Sequence, residues 1–143
     1  DKWDVFIHDM SMGETERISV ASNGNQGNSW SDIPAISADG RFVAFDSDAS
    51  NLVSGDTNGT WDIFVHDRQN GSTQRVSVNS DGNQGDGMSI DQPCISADGR
   101  FVSFGSAATN LVNGDTNGFW DVFVHDREGR NYLFYLPISL KTP

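Results

Sequence analysis

Apolar residues along this chain fall in short runs separated by polar turns, a pattern typical of β-strands. Residues 42–45 follow an Ala-Asp-Gly-Arg turn, and Asp-Gly between two apolar runs predicts a hairpin because Gly accepts positive φ. Residues 63–65 are apolar at three consecutive positions, which predicts a strand buried on both faces. Residues 74–78 alternate polar and apolar, which predicts a half-exposed strand. With no helical period in the repeats, the chain is expected to be all-β.

The chain is built from internal repeats. A seven-residue motif that begins Trp-Asp and ends His-Asp occurs three times, at 3–9, 61–67 and 120–126. Residues 3–27 and 61–85 are identical at 15 of 25 positions, and residues 34–60 and 93–119 at 20 of 27. The spacing of the copies, 58 and 59 residues, is therefore the length of one structural unit.

Each repeat reads as about four antiparallel strands, which cannot bury both faces of their sheet alone. Radial stacking of such sheets predicts a β-propeller. We expect one domain over 1–128, with a partial blade at 3–32, a full blade at 33–91 and a partial blade at 92–128. Closed propellers have about four to eight blades, so about two and a half repeats imply ring closure by oligomerisation or a longer parent propeller. The repeat is lost in the tail 129–143, expected to be a substitute closing strand or an unrelated extension.

Three motifs in order carry a family resemblance. Residues 36–45, 51–59 and 61–68 resemble the repeats of TolB-like, WD-repeat-like bacterial β-propellers. The resemblance covers residues 1–128. It implies the propeller fold and a secreted or periplasmic location, while the family's many roles leave the function open.

The charge balance narrows the range of partners. The sequence has 20 acidic and 9 basic residues, a net charge of −11, which argues against nucleic acid and against an anionic membrane surface. No apolar run approaches the roughly 20 residues of a transmembrane helix. Cys94 is the single cysteine, so an intrachain disulfide and a cysteine-based zinc site are excluded.

The strongest candidate for ligand chemistry is an acidic loop with the spacing D-x-N-G-x-x-D. It occurs twice and supplies two sets of side-chain oxygens: Asp56, Asn58 and Asp62, and Asp115, Asn117 and Asp121. Ca²⁺ prefers several oxygen ligands at alternating loop positions, with Gly permitting a sharp turn. The pattern predicts a structural calcium ion, and the alternative is a set of Asx-turns without metal.

A second polar loop, at 23–28 and 81–86, links the last strand of one blade to the first strand of the next. Trp30 follows the first copy, and the second copy has Met88 or Ile90 in its place. A Trp beside Asn25, with Asn83 in the second copy, is the combination that a sugar site uses for stacking and hydrogen bonding. The alternative is a packing Trp beneath the loop.

Recurrent His and Arg residues are expected to be structural. His8, His66 and His125 occupy equivalent positions in separate repeats, so we expect hydrogen bonds within each blade rather than a shared metal. Arg41 and Arg100 follow the Asp-Gly turns and are expected to pair with carboxylates of the turn or of a neighbouring blade.

Known catalytic patterns such as G-x-S-x-G, H-E-x-x-H and the Walker loop are missing from the sequence. We therefore expect a non-catalytic binding or scaffolding module, not an enzyme, with structural Ca²⁺ and with other protein chains, including its own copies, as partners. Two alternatives remain open. One is a lectin-like oligomer that binds glycans, and the other is the propeller part of a larger hydrolase.

Overall fold

The structure is a computed structural model that describes residues 2–129. These residues form nine strands: β1 (Phe6–Asp9), β2 (Glu14–Arg17), β3 (Ser31–Ile36), β4 (Phe42–Ser47), β5 (Asp62–Asp67), β6 (Ser72–Arg75), β7 (Ser89–Ile95), β8 (Phe101–Ser106) and β9 (Asp121–Asp126). Over the same residues, no helix has the length and apolarity needed to cross a membrane.

The strands form three antiparallel sheets in which chain order and spatial order agree. Blade 1 contains β1 and β2, blade 2 contains β3 to β6, and blade 3 contains β7 to β9. Each sheet is a meander, because each strand pairs with the next one along the chain. The predicted all-β architecture of four-stranded antiparallel blades is confirmed by blade 2.

The blades stack face to face through two apolar clusters. Alternating side chains of β4 point to opposite faces, so Phe45 packs toward blade 1 while Ala44 packs toward blade 3. In each of blades 2 and 3, two phenylalanine rings from adjacent strands are stacked with their centroids 5.9 Å apart. The pairs are Phe45 and Phe64 in blade 2, and Phe104 and Phe123 in blade 3. Every residue of β5 is buried, which confirms the prediction for residues 63–65.

Two details of the strands differ from the sequence-based expectation. β6 ends at Arg75 rather than continuing to residue 78, because the chain turns away and Val78 forms an isolated bridge with Gln84. β3 begins at Ser31 and β7 at Ser89, slightly before the expected blade boundaries.

A bulge in the first strand of each full repeat accommodates the one-residue difference in repeat length. The pairing skips from Asp32 to Ala35 in β3 and from Ile90 to Cys94 in β7, so β7 holds the extra residue. This register makes Met88 the counterpart of Trp30. The expectation for the tail 129–143 lies outside the described residues from position 130 onward.

Candidate functional site

The first acidic loop surrounds an arginine. The loop precedes β5, and Asp62 opens that strand with its side chain fully buried. Arg75, at the end of β6, places its Nη1 atom 3.2 Å from Asp62 Oδ2 and 3.3 Å from Asp56 Oδ1. The guanidinium therefore lies between the two carboxylates that the sequence assigned to a cation.

Two further side chains donate hydrogen bonds to Asp62. Ser77 Oγ donates to Asp62 Oδ1 at 2.6 Å, and Asn58 Nδ2 donates to Asp62 Oδ2 at 3.1 Å. Burial raises the pKa of Asp62, although Ser77, Arg75 and Asn58 each act to lower it. Burial and the charge of Asp62 likewise raise the pKa of Asp56 against the opposing effect of Arg75. One guanidinium thus compensates part of the charge of two buried carboxylates.

The second acidic loop is arranged differently. Asn117 Nδ2 donates to Asp121 Oδ2 at 3.2 Å, and Asn117 Oδ1 accepts from the backbone N–H of Phe119 at 2.7 Å. The Oδ1 atom of Asp115 is buried and has no hydrogen-bond partner among the described residues. Within residues 2–129, neither carboxylate forms an ion pair.

Among the described residues, no three His, Cys, Asp or Glu side chains lie close enough together to hold a metal ion. The first loop brings the carboxylates of Asp56 and Asp62 and the amide of Asn58 together around Arg75, and in the second loop the amide of Asn117 contacts Asp121. Further ligands would have to come from backbone carbonyls or water.

The residues predicted to bind sugar lie in the connections between successive blades. Asn25 and Asn83 lie in tight turns. The backbone carbonyl of Asn25 accepts a hydrogen bond from the backbone N–H of Ala21 at 2.8 Å, and the carbonyl of Asn83 accepts one from the N–H of Asn79 at 2.9 Å. Trp30 packs against Trp3, with the ring centroids 5.0 Å apart and the ring planes at 55°.

A cleft of about 500 Å³ opens between blades 1 and 2 and has a wholly uncharged lining. It is lined by Ala21, Ser22, Asn23, Asn51, Leu52, Val53, Ser54 and Thr73. This volume is within the range of small-molecule sites. None of the three predicted sugar-binding residues lines it.

The recurrent histidines are structural where their surroundings are described. His8 Nδ1 lies 2.8 Å from Thr15 Oγ1, and His66 Nδ1 lies 2.8 Å from Thr73 Oγ1. The expected hydrogen bonds within each blade are confirmed for these two.

The prediction for the recurrent arginines was wrong about their partners. Arg41 and Arg100 each make two hydrogen bonds with a carboxylate of their own blade, at the end of the third strand (Asp67 and Asp126). The antiparallel register places the end of that strand beside the start of the second, which the turn sequence alone does not reveal.

Two carboxyl groups whose pairing the sequence did not predict lie on β3 and β4. Asp32 and Asp46 are direct partners across the two strands. Burial, followed by the hydrogen bond and charge of Asp32, raises the pKa of Asp46 to about 8. The only signal in the sequence was that Asp46 is replaced by Gly105 in the next repeat.

Comparisons with known proteins show the fold of the chain. No protein-family model and no curated protein matches the sequence. The structure is similar to TolB from Acinetobacter baumannii, with a TM-score of 0.56 and 21% identity over 95% of this chain. It is also similar to the tricorn protease, with a TM-score of 0.55 and 20% identity over 92% of the chain. A third similar structure, described as TolB from Agrobacterium tumefaciens, has a TM-score of 0.52 and 19% identity over 92% of this chain.

The chain spans 27%, 10% and 42% of the length of these three structures, in the order given. Sequence identity at this level supports a likeness of fold and not of activity. The resemblance to TolB-like propellers noted in the sequence is confirmed for the fold.

Proposed function

We propose, from its TolB-like propeller fold, that this chain is a non-catalytic secreted or periplasmic module that binds or scaffolds other protein chains, including copies of itself. The observation that carries the proposal is the exposure of apolar side chains on its outer blade faces. Val122 of blade 3 is 41% exposed, whereas its counterpart Ile63 in blade 2 is fully buried. Phe6 of blade 1 is 52% exposed, whereas its counterpart Phe64 is fully buried. Contact with another blade would bury both faces, as happens inside the chain.

The test is the molar mass in solution, measured by light scattering with calcium and again with chelator. Two or more chains per particle are expected, against 15.6 kDa for one chain. Val122→Lys should return the mass to that of a monomer. Met10→Lys, at an exposed position in the β1–β2 turn, is the matched control and should leave the mass unchanged. A monomeric wild-type chain would contradict self-association.

We further propose that Ca²⁺ binds the loop of blade 3, through Asp115, Asn117 and Asp121, rather than that of blade 2. The support is electrostatic. Arg75 already supplies a positive charge between Asp56 and Asp62, whereas Asp115 has a buried carboxylate oxygen without a partner within residues 2–129. Oxygen atoms of this kind are suitable ligands for a hard cation such as Ca²⁺.

Calorimetric titration with Ca²⁺ distinguishes the two loops. Asp115→Asn should abolish the binding heat, and Asp56→Asn, its counterpart in blade 2, should retain it. The absence of heat with the wild-type chain, or loss only in Asp56→Asn, would contradict the assignment. A chain that binds calcium in the blade 2 loop would have to displace Arg75.

One observation favours the glycan-binding alternative. Trp3 is 61% exposed and stands beside Trp30, which offers an aromatic face of the kind on which sugar rings stack. A glycan array with the wild-type chain and Trp3→Ala tests it, and an array without hits would remove this alternative. The hydrolase alternative would need a catalytic part beyond these 143 residues, and a longer reading frame encoding one would support it.

A further inference from the structure

Two carboxyl groups face each other at the junction of blades 2 and 3. Directly paired residues of adjacent strands place their side chains on the same face of a sheet, so Asp32 and Asp46 share a face. On β4 this is also the face of Ala44, which belongs to the apolar cluster between blades 2 and 3. The side chain of Asp46 is buried there, with the residue only 1% exposed.

Among the described residues, the strands around the pair contribute no positive charge. The strands that adjoin or pack against β4 are β3, β5 and β7, and none of the four contains Lys or Arg. Their other ionisable residues are Asp62, His66, Asp67, Asp91 and the thiol Cys94. Asp62 and Asp67 are bound to arginines, and His66 to a threonine. The Oδ1 atom of Asp46 has no hydrogen-bond partner in the part of the chain that the structure describes.

The pair is specific to blade 2. In the same register of blade 3, Ile90 stands opposite Gly105. A Cβ atom added at Gly105 would lie 3.1 Å from the Cβ atom of Asp91 and 3.3 Å from its Oδ2 atom. Asp91 therefore occupies the space that the second-strand side chain takes in blade 2. At this place blade 3 therefore has one carboxyl group, whereas blade 2 has two.

Two ionised carboxylates directly opposite each other repel, and the buried Asp46 also loses hydration, whereas Asp32 is half-buried. We propose that Asp32 and Asp46 share one proton and act as a proton-linked latch that makes the junction between blades 2 and 3 tightest in acid and progressively weaker toward alkaline pH. This regulation is independent of the proposed calcium site, since neither residue belongs to an acidic loop.

The direction of the effect follows from linkage. The pKa of Asp46 is raised in the closed junction, so its carboxyl group keeps a proton there. In the open junction the solvated carboxyl group has its ordinary pKa of 3.8 and releases the proton above that pH. Between about pH 4 and about pH 8 the closed state thus binds more protons, and its stability falls as pH rises. For one proton, the equilibrium constant for opening rises by up to about tenfold per pH unit in this window.

The experiment is hydrogen exchange of the backbone amides at pH 5, 6, 7 and 8, in chelator, expressed as protection factors. In the wild-type chain, protection of β4 and β7 should fall steadily with pH. Asp46→Asn should lose this dependence, and Asp91→Asn, the carboxyl of blade 3, should keep it. Should Asp46→Asn fold poorly, Asp46→Gly reproduces the residue present at Gly105 and serves instead.

Two results would overturn the latch. The first is an equal pH dependence in Asp46→Asn and the wild-type chain. The second is an equal loss of protection in β1 and β2, which would place the effect outside the junction. Failure of the calcium or self-association experiments has no bearing on either result, because this measurement uses neither metal nor assembly.

Discussion

The Nδ1 atom of His66 lies 2.8 Å from the Oγ1 atom of Thr73, and both side chains are buried in blade 2. The Thr73 hydroxyl in turn donates to the backbone carbonyl of Val20, in the segment that leaves blade 1. One threonine thus joins the interior of its own blade to the neighbouring one. The equivalent pair in blade 1, His8 and Thr15, is exposed.

Thr73→Val should destabilise the chain by about 1–3 kcal/mol, because it leaves the carbonyl of Val20 and the ring nitrogen of His66 buried without a partner. Urea unfolding measures the difference. Thr15→Val is the matched control and should cost less than about 0.5 kcal/mol at its exposed site. Equal losses in the two variants would mean that the link between blades contributes nothing.

Phe64→Ala should cost about 3–5 kcal/mol, because its ring is fully buried and stacked on Phe45 at 5.9 Å. Phe6→Ala removes the equivalent but half-exposed ring in blade 1 and should cost far less in the monomer. The measurement is the urea midpoint of each variant. A loss below about 1 kcal/mol for Phe64→Ala would show that blade stacking does not depend on this ring.

Arg75→Met should destabilise by about 3–5 kcal/mol, because it leaves the buried carboxylates of Asp56 and Asp62 without a counter-charge. Arg17→Met is the control, since Arg17 is more exposed and lies 3.7 Å from Asp4. It should cost about 1 kcal/mol or less. Added calcium should partly restore Arg75→Met if a cation can take the place of the guanidinium. If Arg75→Met is as stable as the wild-type chain, the two carboxylates do not need the guanidinium as a counter-charge.

Gly99→Ala should be more harmful than Gly40→Ala, although both glycines occupy the same turn position with φ of 75° and 73°. Left-handed backbone costs an alanine about 1–2 kcal/mol at either site. At Gly99 the added Cβ atom would also lie 2.1 Å from Cδ2 of Phe42 in blade 2. Overpacking adds about 1–3 kcal/mol there. Equal thermal shifts would show that the ring of Phe42 moves away freely.

Arg100→Gln should make the chain more sensitive to acid. The hydrogen bonds from Arg100 lower the pKa of Asp126 to about 2, below its ordinary value of 3.8. Between about pH 4 and about pH 2 the folded chain binds fewer protons than the unfolded chain, so this contribution is present above pH 4 and is lost as pH falls. An acid titration followed by circular dichroism should show unfolding at higher pH in the variant, and coincident curves would contradict the pairing.

The sequence by itself determined the blades, because the information is local and repeated. Alternating apolar runs, Asp-Gly turns and a period of 58 to 59 residues specify antiparallel strands that have to stack on copies of themselves. The strand that contains Ile63 was predicted as buried on both faces for the same reason. The in-blade hydrogen bonds of His8 and His66 also followed from the repeat, since equivalent residues in separate blades stay apart.

Only the tertiary structure decided which side chains meet. Arg75 reaches Asp56 and Asp62 because β6 pairs beside β5, and no spacing rule in the loop reveals that partner. Asp32 and Asp46 are separated along the chain by a hairpin and become opposed only through the register of β3 and β4. Repeats and turns encode the order of strands, whereas charge neutralisation depends on register and on the face each side chain takes in the stacked blades.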